Sequence, residues 1–269
     1  MPSHQPSYRA QTADPASFLD DVQFDHGPTD FLMQYFSLIS EAAAQHGILF
    51  SYSTFDELMT INQANLDTWF PITTTYRPDV GGANEENGIV VVGRSINGEP
   101  VTCQAVRIFD WSHSTLHREA EALRLFYQDP ALNKQPTETC TVTTPVAQSI
   151  SGRVAYIGGF WIHPDYRGTE RLRIVTSVGR ASALARWGFD HLISLITPPN
   201  VQKKFHARTG VKHVYEGAVI MRNSPSKPDG DLAMSLLLTS PYELIDDLFK
   251  LMLEVGPKIN GNVGKRHSQ

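Results

Sequence analysis

The chain has 269 residues, of which 41% are hydrophobic and 19% charged, with a formal net charge of -5. These values predict an ordinary buried core and exclude global disorder, and they show no clustered basic face of the kind that binds nucleic acid. No apolar run reaches the roughly 18 residues of a membrane helix, and no apolar stretch after Met1 suggests a secretory signal.

Residues 1–28 are polar and rich in Pro, Ser, Asp and His, which predicts a flexible tail. "TDFLMQYFSLISEAAAQHG" has helical apolar spacing, with Thr29 or Asp30 as its cap and Gly47 as its stop. "ILFSYS" predicts a strand. "TFDELMTINQANLDTWF" predicts a second helix, opened by Thr54 and Glu57 at capping-box spacing. "GIVVVGRSINGEPVTCQAVRIFDW" predicts a hairpin turning at Asn97-Gly98.

"TLHREAEALRLFY" reads as an amphipathic helix that stops before Asp129-Pro130, and residues 131–153 read as a long loop. "VAYIGGFWIH" reads as a central strand in which Gly158 and Gly159 mark a bulge, a close approach by ligand, or tight packing on a helix. "RLRIVTSVGRASALARWG" predicts a helix with Ile174, Val178, Ala181 and Ala185 on one face and Arg173 and Arg180 on another. Then come a strand "HLISLI", a short helix "NVQKKFHARTG", and a hairpin of "KHVYEGAVIMR" and "DLAMSLLL" joined by the loop "NSPSKPDG". A terminal helix "SPYELIDDLFKLMLEV", capped by Ser240, precedes a second flexible tail, 256–269. This order predicts an α/β (α+β) mixed sheet covered by helices, with a parallel crossover from the central strand to "HLISLI".

Cys103 and Cys140 do not make a disulfide framework, so reduced thiols and a cytoplasmic setting are expected. "HSTLH" places His113 and His117 at helical spacing but lacks the acidic partner of a zinc hydrolase, and no metal is expected. "LDTWF" and "FDWS" fit a core or a substrate wall, and neither a nucleophile-elbow nor a phosphate-loop motif is present.

The element order, with "WIHPDYRG" at the turn after the central strand, resembles the GNAT superfamily of N-acyltransferases over about residues 48–238. The resemblance implies one GNAT-like domain over 29–255. Extra N- and C-terminal helices and an insertion at about 117–153 would fall outside the minimal fold. It implies an acyl-CoA or acetyl-CoA co-substrate whose pyrophosphate rests on Arg167, Gly168, Thr169, Arg171 and Arg173, at the start of the helix. It further implies that amides near Trp161 and Ile162 receive the acyl carbonyl. "NVQKKFHARTGV" is similar to a second family segment. Asn200 falls on its cofactor-side position, and His206 falls where a residue reprotonates the leaving thiolate. His163 is a candidate base for the amine.

Glu170 and Leu172 depart from the family pattern, which has small residues at both positions. Glu170 reads as a repulsive carboxylate, as part of a rewired arginine-rich cradle, or as a first-turn acid that only stabilises the helix. Structural roles also stand beside the chemical ones: His206 as a surface histidine, and His163 and Asp165 as parts of a tight turn. The expected function is acyl transfer to the amine of a small molecule. A carrier protein is admitted as donor and a homodimer as a state. Ligand sensing without catalysis, and other thioester chemistry such as hydrolysis or decarboxylation, remain as alternatives.

Overall fold

The computed structural model describes residues 17–266. In chain order the elements are α1 (Ser17–Asp20), α2 (Thr29–Gln45), β1 (Leu49–Ser53), α3 (Phe55–Ala64), α4 (Pro78–Gly81), β2 (Gly88–Arg94) and β3 (Pro100–Trp111). There follow α5 (Leu116–Glu121), α6 (Pro130–Asn133), β4 (Thr139–Val142), β5 (Gly152–Ile162), α7 (Thr169–Trp187) and β6 (His191–Ile196). The chain closes with α8 (Pro198–Gln202), α9 (Phe205–Arg208), β7 (His213–Ser224), β8 (Lys227–Thr239) and α10 (Pro241–Arg266). All eight strands form one mixed sheet in the order β1-β2-β3-β5-β6-β8-β7-β4. Its parallel pair is β5 with β6, joined through α7, as the crossover predicts.

Alternate residues of each strand feed two cores. Val91 packs with Leu32, Phe36, Val178 and Leu248 on the face covered by α2, α7 and α10. Val90 and Val92 point the other way, to Leu58, Tyr76, Leu116 and Trp161. Helix α7 lies deepest: Ile174, Val178, Ala181 and Ala185 are buried, and so are Thr176, Ser177 and Ser182 around its circumference. Among the described residues, no helix is long and apolar enough to cross a membrane.

Several expectations need correction. Part of the N-terminal tail packs: Phe18 is buried against the α2 core, and the Asp25 and His26 amides donate to the Ala185 carbonyl. Residues 1–16 of that expected tail lie outside the described residues. Helix α2 follows Pro28 and has no side-chain cap. The second helix stops at Ala64, well before Phe70. The β2–β3 turn runs from Ser95 to Glu99, and of the pair Asn97-Gly98 only Gly98 has positive φ. Helix α5 ends at Glu121, with Leu123 at φ 62 just beyond.

The supposed loop 131–153 contains β4, which pairs antiparallel with the outer edge of β7. In the β7–β8 hairpin the strands run in to Ser224 and Lys227, so the expected eight-residue loop shrinks to a tight turn. Helix α10 continues through Pro257 to Arg266, into the segment expected as a second tail, and residues 267–269 lie outside the described residues. Thr54 and Ser240 do cap: Thr54 Oγ1 accepts the Glu57 amide at 3.1 Å, and Ser240 Oγ accepts the Glu243 amide at 3.3 Å.

Candidate functional site

Strands β5 and β6 pair over only three positions, Val154 with His191, Ala155 with Leu192 and Tyr156 with Ile193. Beyond them Ile157–Ile162 and Ser194–Ile196 run on without pairing to each other. β6 keeps its bonds to β8, and β5 keeps those to β3. The sheet therefore parts at this end, and Ile157, Phe160 and Leu195 become half-buried where their predecessors are buried. The cause lies in β5 itself. Cys103 pairs with Trp161 and Ala105 with Gly158, so Gly159 and Phe160 both face the single residue Gln104. This is a bulge, with Gly159 at φ 56, and a bulge bends and twists its strand. Of the readings open for the glycine pair, Gly159 makes the bulge and Gly158 is packed tightly under Tyr76.

Beyond Ile162 the chain makes the turn Pro164–Tyr166 and enters α7. The first intrahelical bond is from the Leu172 amide to the Gly168 carbonyl, and no side chain caps the helix. The amides of Thr169 and Arg171 thus have no acceptor within the helix, and they share its positive dipole end. A Cβ placed on Gly168 would meet no atom within 4 Å, so the space beside this helix start is open. Leu172 is 6% exposed and packs into the core. It leaves the helix start unobstructed.

The arginines divide. Arg167 is exposed, and its Nε donates to the Ile162 carbonyl at 3.1 Å, tying the turn to the end of β5. Arg171 donates to the Asp165 carbonyl at 3.2 Å. Arg173, expected in the phosphate cradle, is held by α10 instead: it reaches Glu254 Oε1 and Asp247 Oδ1, each at 2.8 Å. Buried Arg180 reaches Asp247 Oδ2 at 3.2 Å. The seven-residue spacing of Arg173 and Arg180 on α7 matches that of Asp247 and Glu254 on α10, a pattern the sequence displays.

Trp161 is buried, and its indole N–H donates to Thr68 Oγ1 at 3.2 Å. Ile162 is buried at the end of β5, where its carbonyl receives Arg167. His163 is drawn into the turn: Nδ1 accepts the Asp165 amide at 3.3 Å, and the ring sits edge-on to Trp161 and Tyr166. Asn200 is exposed in α8, and its amide nitrogen lies 3.4 Å from Thr197 Oγ1. The short helix expected there breaks in two at Lys204, which has φ 52. α9 sits beside the opening through Phe205, whose ring centroid lies 5.7 Å from that of Phe160. The next residue, His206, has a buried Nδ1 with no hydrogen-bond partner.

A second group of residues at this site was not anticipated. The segment after α3 covers the β5 bulge on the sheet face opposite α7. Trp69 stacks on Trp161 at 5.5 Å, and Tyr76 stacks on Tyr156 at 5.6 Å and donates to the Tyr156 carbonyl at 3.2 Å. A Cβ on Gly159 would lie 3.1 Å from Ile72 Cδ1. Arg107, 7% exposed on β3, donates to the carbonyls of Thr75, Gly81 and Gly82 and fixes this segment. Burial lowers its pKa to about 10. "LDTWF", read as a core or a substrate wall, supplies the buried Trp69, but its place over the β5 bulge was not foreseen. The part played by Tyr76 and Arg107 had no local signal.

Two surface cavities lie elsewhere. One of about 560 Å³ is lined by Phe109–Ser114, Glu119 and Arg124, and one of about 430 Å³ by Tyr52, Ser182, Arg186 and their neighbours. Among the described residues no cluster of three or more His, Cys, Asp or Glu side chains could hold a metal, and His117 lies 3.4 Å from Glu121.

No protein-family model and no curated protein matches the chain. It is similar to a solved, uncharacterized Bacillus halodurans protein, with 12% identity over 77% of this chain and 91% of the other and a TM-score of 0.44. It is also similar to the aminoglycoside acetyltransferase AAC(6')-Ib in complex with coenzyme A, at 9% identity over 73% and 96% and a TM-score of 0.40. Arabidopsis thaliana NAA60 in complex with acetyl-CoA is similar at 12% identity over 72% and 99%, with a TM-score of 0.39. The reading of the site rests on its own geometry. Among the described residues that geometry is a mixed sheet whose single parallel pair parts beside the start of the connecting helix.

Proposed function

We propose that this protein transfers an acyl group from the thioester of a phosphopantetheine carrier, coenzyme A or a carrier protein, to the amine of a small molecule. One observation carries the reading: the gap between β5 and β6 opens beside a helix start where the Thr169 and Arg171 amides have no acceptor within the helix and the space at Gly168 is open. Such amides attract phosphate. The backbone of Ile157–Ile162, no longer committed to β6, suits a pantetheine arm laid in the gap like a strand.

In this reading the amide groups near Trp161 and Ile162 take up charge that develops on the thioester oxygen. The amine nitrogen bonds to the carbonyl carbon, the carbon–sulfur bond breaks, and the thiolate takes a proton from His206. Arg167 and the amides of Gly168, Thr169 and Arg171 hold phosphate. His163 fixes the turn, and the proton from the amine leaves to water. Arg173 is tied to α10 and left out of the cradle, and Asn200 stands exposed in α8 at the same end of the sheet. A second reading, sensing without transfer, draws on the close packing of Trp69, Ile72 and Tyr76 over the bulge, which narrows the acceptor side.

Thermal unfolding with acetyl-CoA, coenzyme A and acetyl-phosphopantetheine tests the proposal. A ligand at about 100 times its Kd stabilises by roughly 2.7 kcal/mol. Stabilisation together with thiol release in the presence of an amine panel is the expected result. Stabilisation without release supports sensing, and no response to any of the three overturns both readings.

A further inference from the structure

We infer that the cationic segment beside the opening is a docking surface for an acidic acyl-carrier protein; the inference rests on the proposed transfer chemistry and names its donor. The chain as a whole is acidic, yet residues 197–213 contain Lys203, Lys204, Arg208 and Lys212 and no Asp or Glu. Lys203, Lys204 and Arg208 are exposed and reach no carboxylate among the described residues. Lys212 lies 3.6 Å from Asp246, both of them exposed.

The topology places these cations at the mouth. β5 and β6 are parallel, so the elements that follow them, the turn into α7 and the pair α8–α9, emerge at the same end of the sheet. The Phe205–Phe160 contact holds α9 against the gap. Arg167 and Arg171 stand at that end too. The carboxylates there include Asp165, Glu170, Glu243, Asp246 and Asp247; Glu243 binds His213, Asp246 also binds Lys250, and Asp247 binds Arg173 and Arg180.

The form of the patch favours a macromolecule over a nucleotide. A site for one small phosphate gathers its donors at a point and shields them from water. These cations stand in solvent, Lys203 and Lys204 between α8 and α9, Arg208 at the end of α9 and Lys212 beyond it. Dispersed exposed charge does little for a small ligand, but it steers and registers an oppositely charged surface. The helix start complements this. It offers the amides of Thr169 and Arg171, with the Glu170 side chain in the same turn. A carrier-borne arm brings a single phosphate there, whereas coenzyme A brings two. The carrier supplies further contacts at the rim, on Lys203, Lys204 and Arg208.

The test is direct binding of three probes: a small acidic acyl-carrier protein in its acetylated holo form, acetyl-phosphopantetheine, and acetyl-CoA. Each is titrated against the native protein and against a variant combining Lys203→Glu, Lys204→Glu and Arg208→Glu. Circular dichroism checks the fold of the variant. The native protein is also titrated at about 0.02 M and about 0.15 M salt, where screening differs several-fold in range.

The carrier is expected to bind at least about ten-fold more tightly than the free arm, and to lose that advantage on charge reversal and at the higher salt. Affinity for acetyl-phosphopantetheine should stay unchanged. A carrier that binds no better than the free arm, or that binds the variant as well as the native protein, overturns the inference. If acetyl-CoA binds most tightly and is the probe weakened by charge reversal, the cations serve the nucleotide, and docking falls while acyl transfer stands. Failure of all three probes removes the transfer reading itself.

Discussion

Gly158→Ala tests the wall over the β5 bulge. The added Cβ would stand 2.7 Å from Tyr76 Oη, 3.0 Å from Cε2 and 3.2 Å from Cζ. Tyr76 has little room to yield. It is 1% exposed, lies parallel to Tyr156 at an interplanar angle of 5°, and bonds the Tyr156 carbonyl. Its own backbone is held next door, where Arg107 binds the Thr75 carbonyl at 2.9 Å. Overpacking a filled core costs roughly 1–3 kcal/mol, and loss of the tyrosine hydrogen bond adds about 1 kcal/mol, so the expected loss is about 2–4 kcal/mol. Urea unfolding measures it, provided the m-value is unchanged. Adding Tyr76→Phe to Gly158→Ala removes the nearest contact, so the double variant should exceed the sum of the singles in stability by about 1 kcal/mol or more. A loss below about 0.5 kcal/mol for Gly158→Ala alone would show that the segment yields easily and is no fixed wall.

Three further predictions address the helix start, its anchor and a buried carboxylate. Thr169→Pro should leave the fold intact, because proline suits the first helical position and Gly168 is already extended, at φ 164 and ψ 156. It deletes one uncapped amide, and affinity for acetyl-CoA should fall roughly ten-fold, equivalent to about 1.4 kcal/mol; unchanged affinity would take the phosphate away from this helix. Asp247→Ala strands the buried guanidinium of Arg180 and releases Arg173, and should cost about 3–5 kcal/mol in urea unfolding. A loss under about 1 kcal/mol would mean the ion-pair network does not anchor α10. For Glu119, the hydrogen bond from Arg124 holds the carboxyl below its usual range against the opposing effect of burial, with help from Ser114. A depressed folded pKa gives stability that is present above the unfolded value of about 4.3 and is lost as pH falls through the folded value. Glu119→Gln should therefore destabilise more at about pH 7 than at about pH 3, and an equal loss at both would exclude this linkage.

Local signals were legible in the sequence and distant partners were not. Thr54 and Ser240 cap because a hydroxyl three residues from an open amide needs nothing beyond its own helix. The bulge at Gly159 was readable for a similar reason, since glycine in a central strand weakens it unless the backbone turns there. By contrast, "TCTV" becomes β4 only because β7, about 80 residues later, offers an unpaired edge, and four residues rich in threonine carry no alternation long enough to reveal it. Phe18 is a lone aromatic in a polar stretch, and its burial depends on the cavity that α2 and β1 create. The broken helix at Lys204 and the early end of α5 at Leu123 both involve non-glycine residues at positive φ, which propensity argues against and only tertiary packing enforces.

Leu172 and Glu170 looked like one departure from the family pattern, but the structure separates them. A small residue is needed only where backbone and ligand approach each other. Leu172, in the first turn of α7, turns its side chain into the core, so its size supports packing and leaves the amides before it accessible. Glu170 remains as the departure that bears on charge, because a first-turn carboxylate shares the dipole end that the proposed function gives to phosphate. Arg173, one of the cations that would have offset it, is spent on Asp247 and Glu254. What remains near the helix start is Arg167, with its Nε already bonded to Ile162, and Arg171. That balance suits one phosphate better than two. It is also why, under the proposed chemistry, the exposed cations Lys203, Lys204 and Arg208 are the place to test a nucleotide carrier against a protein carrier.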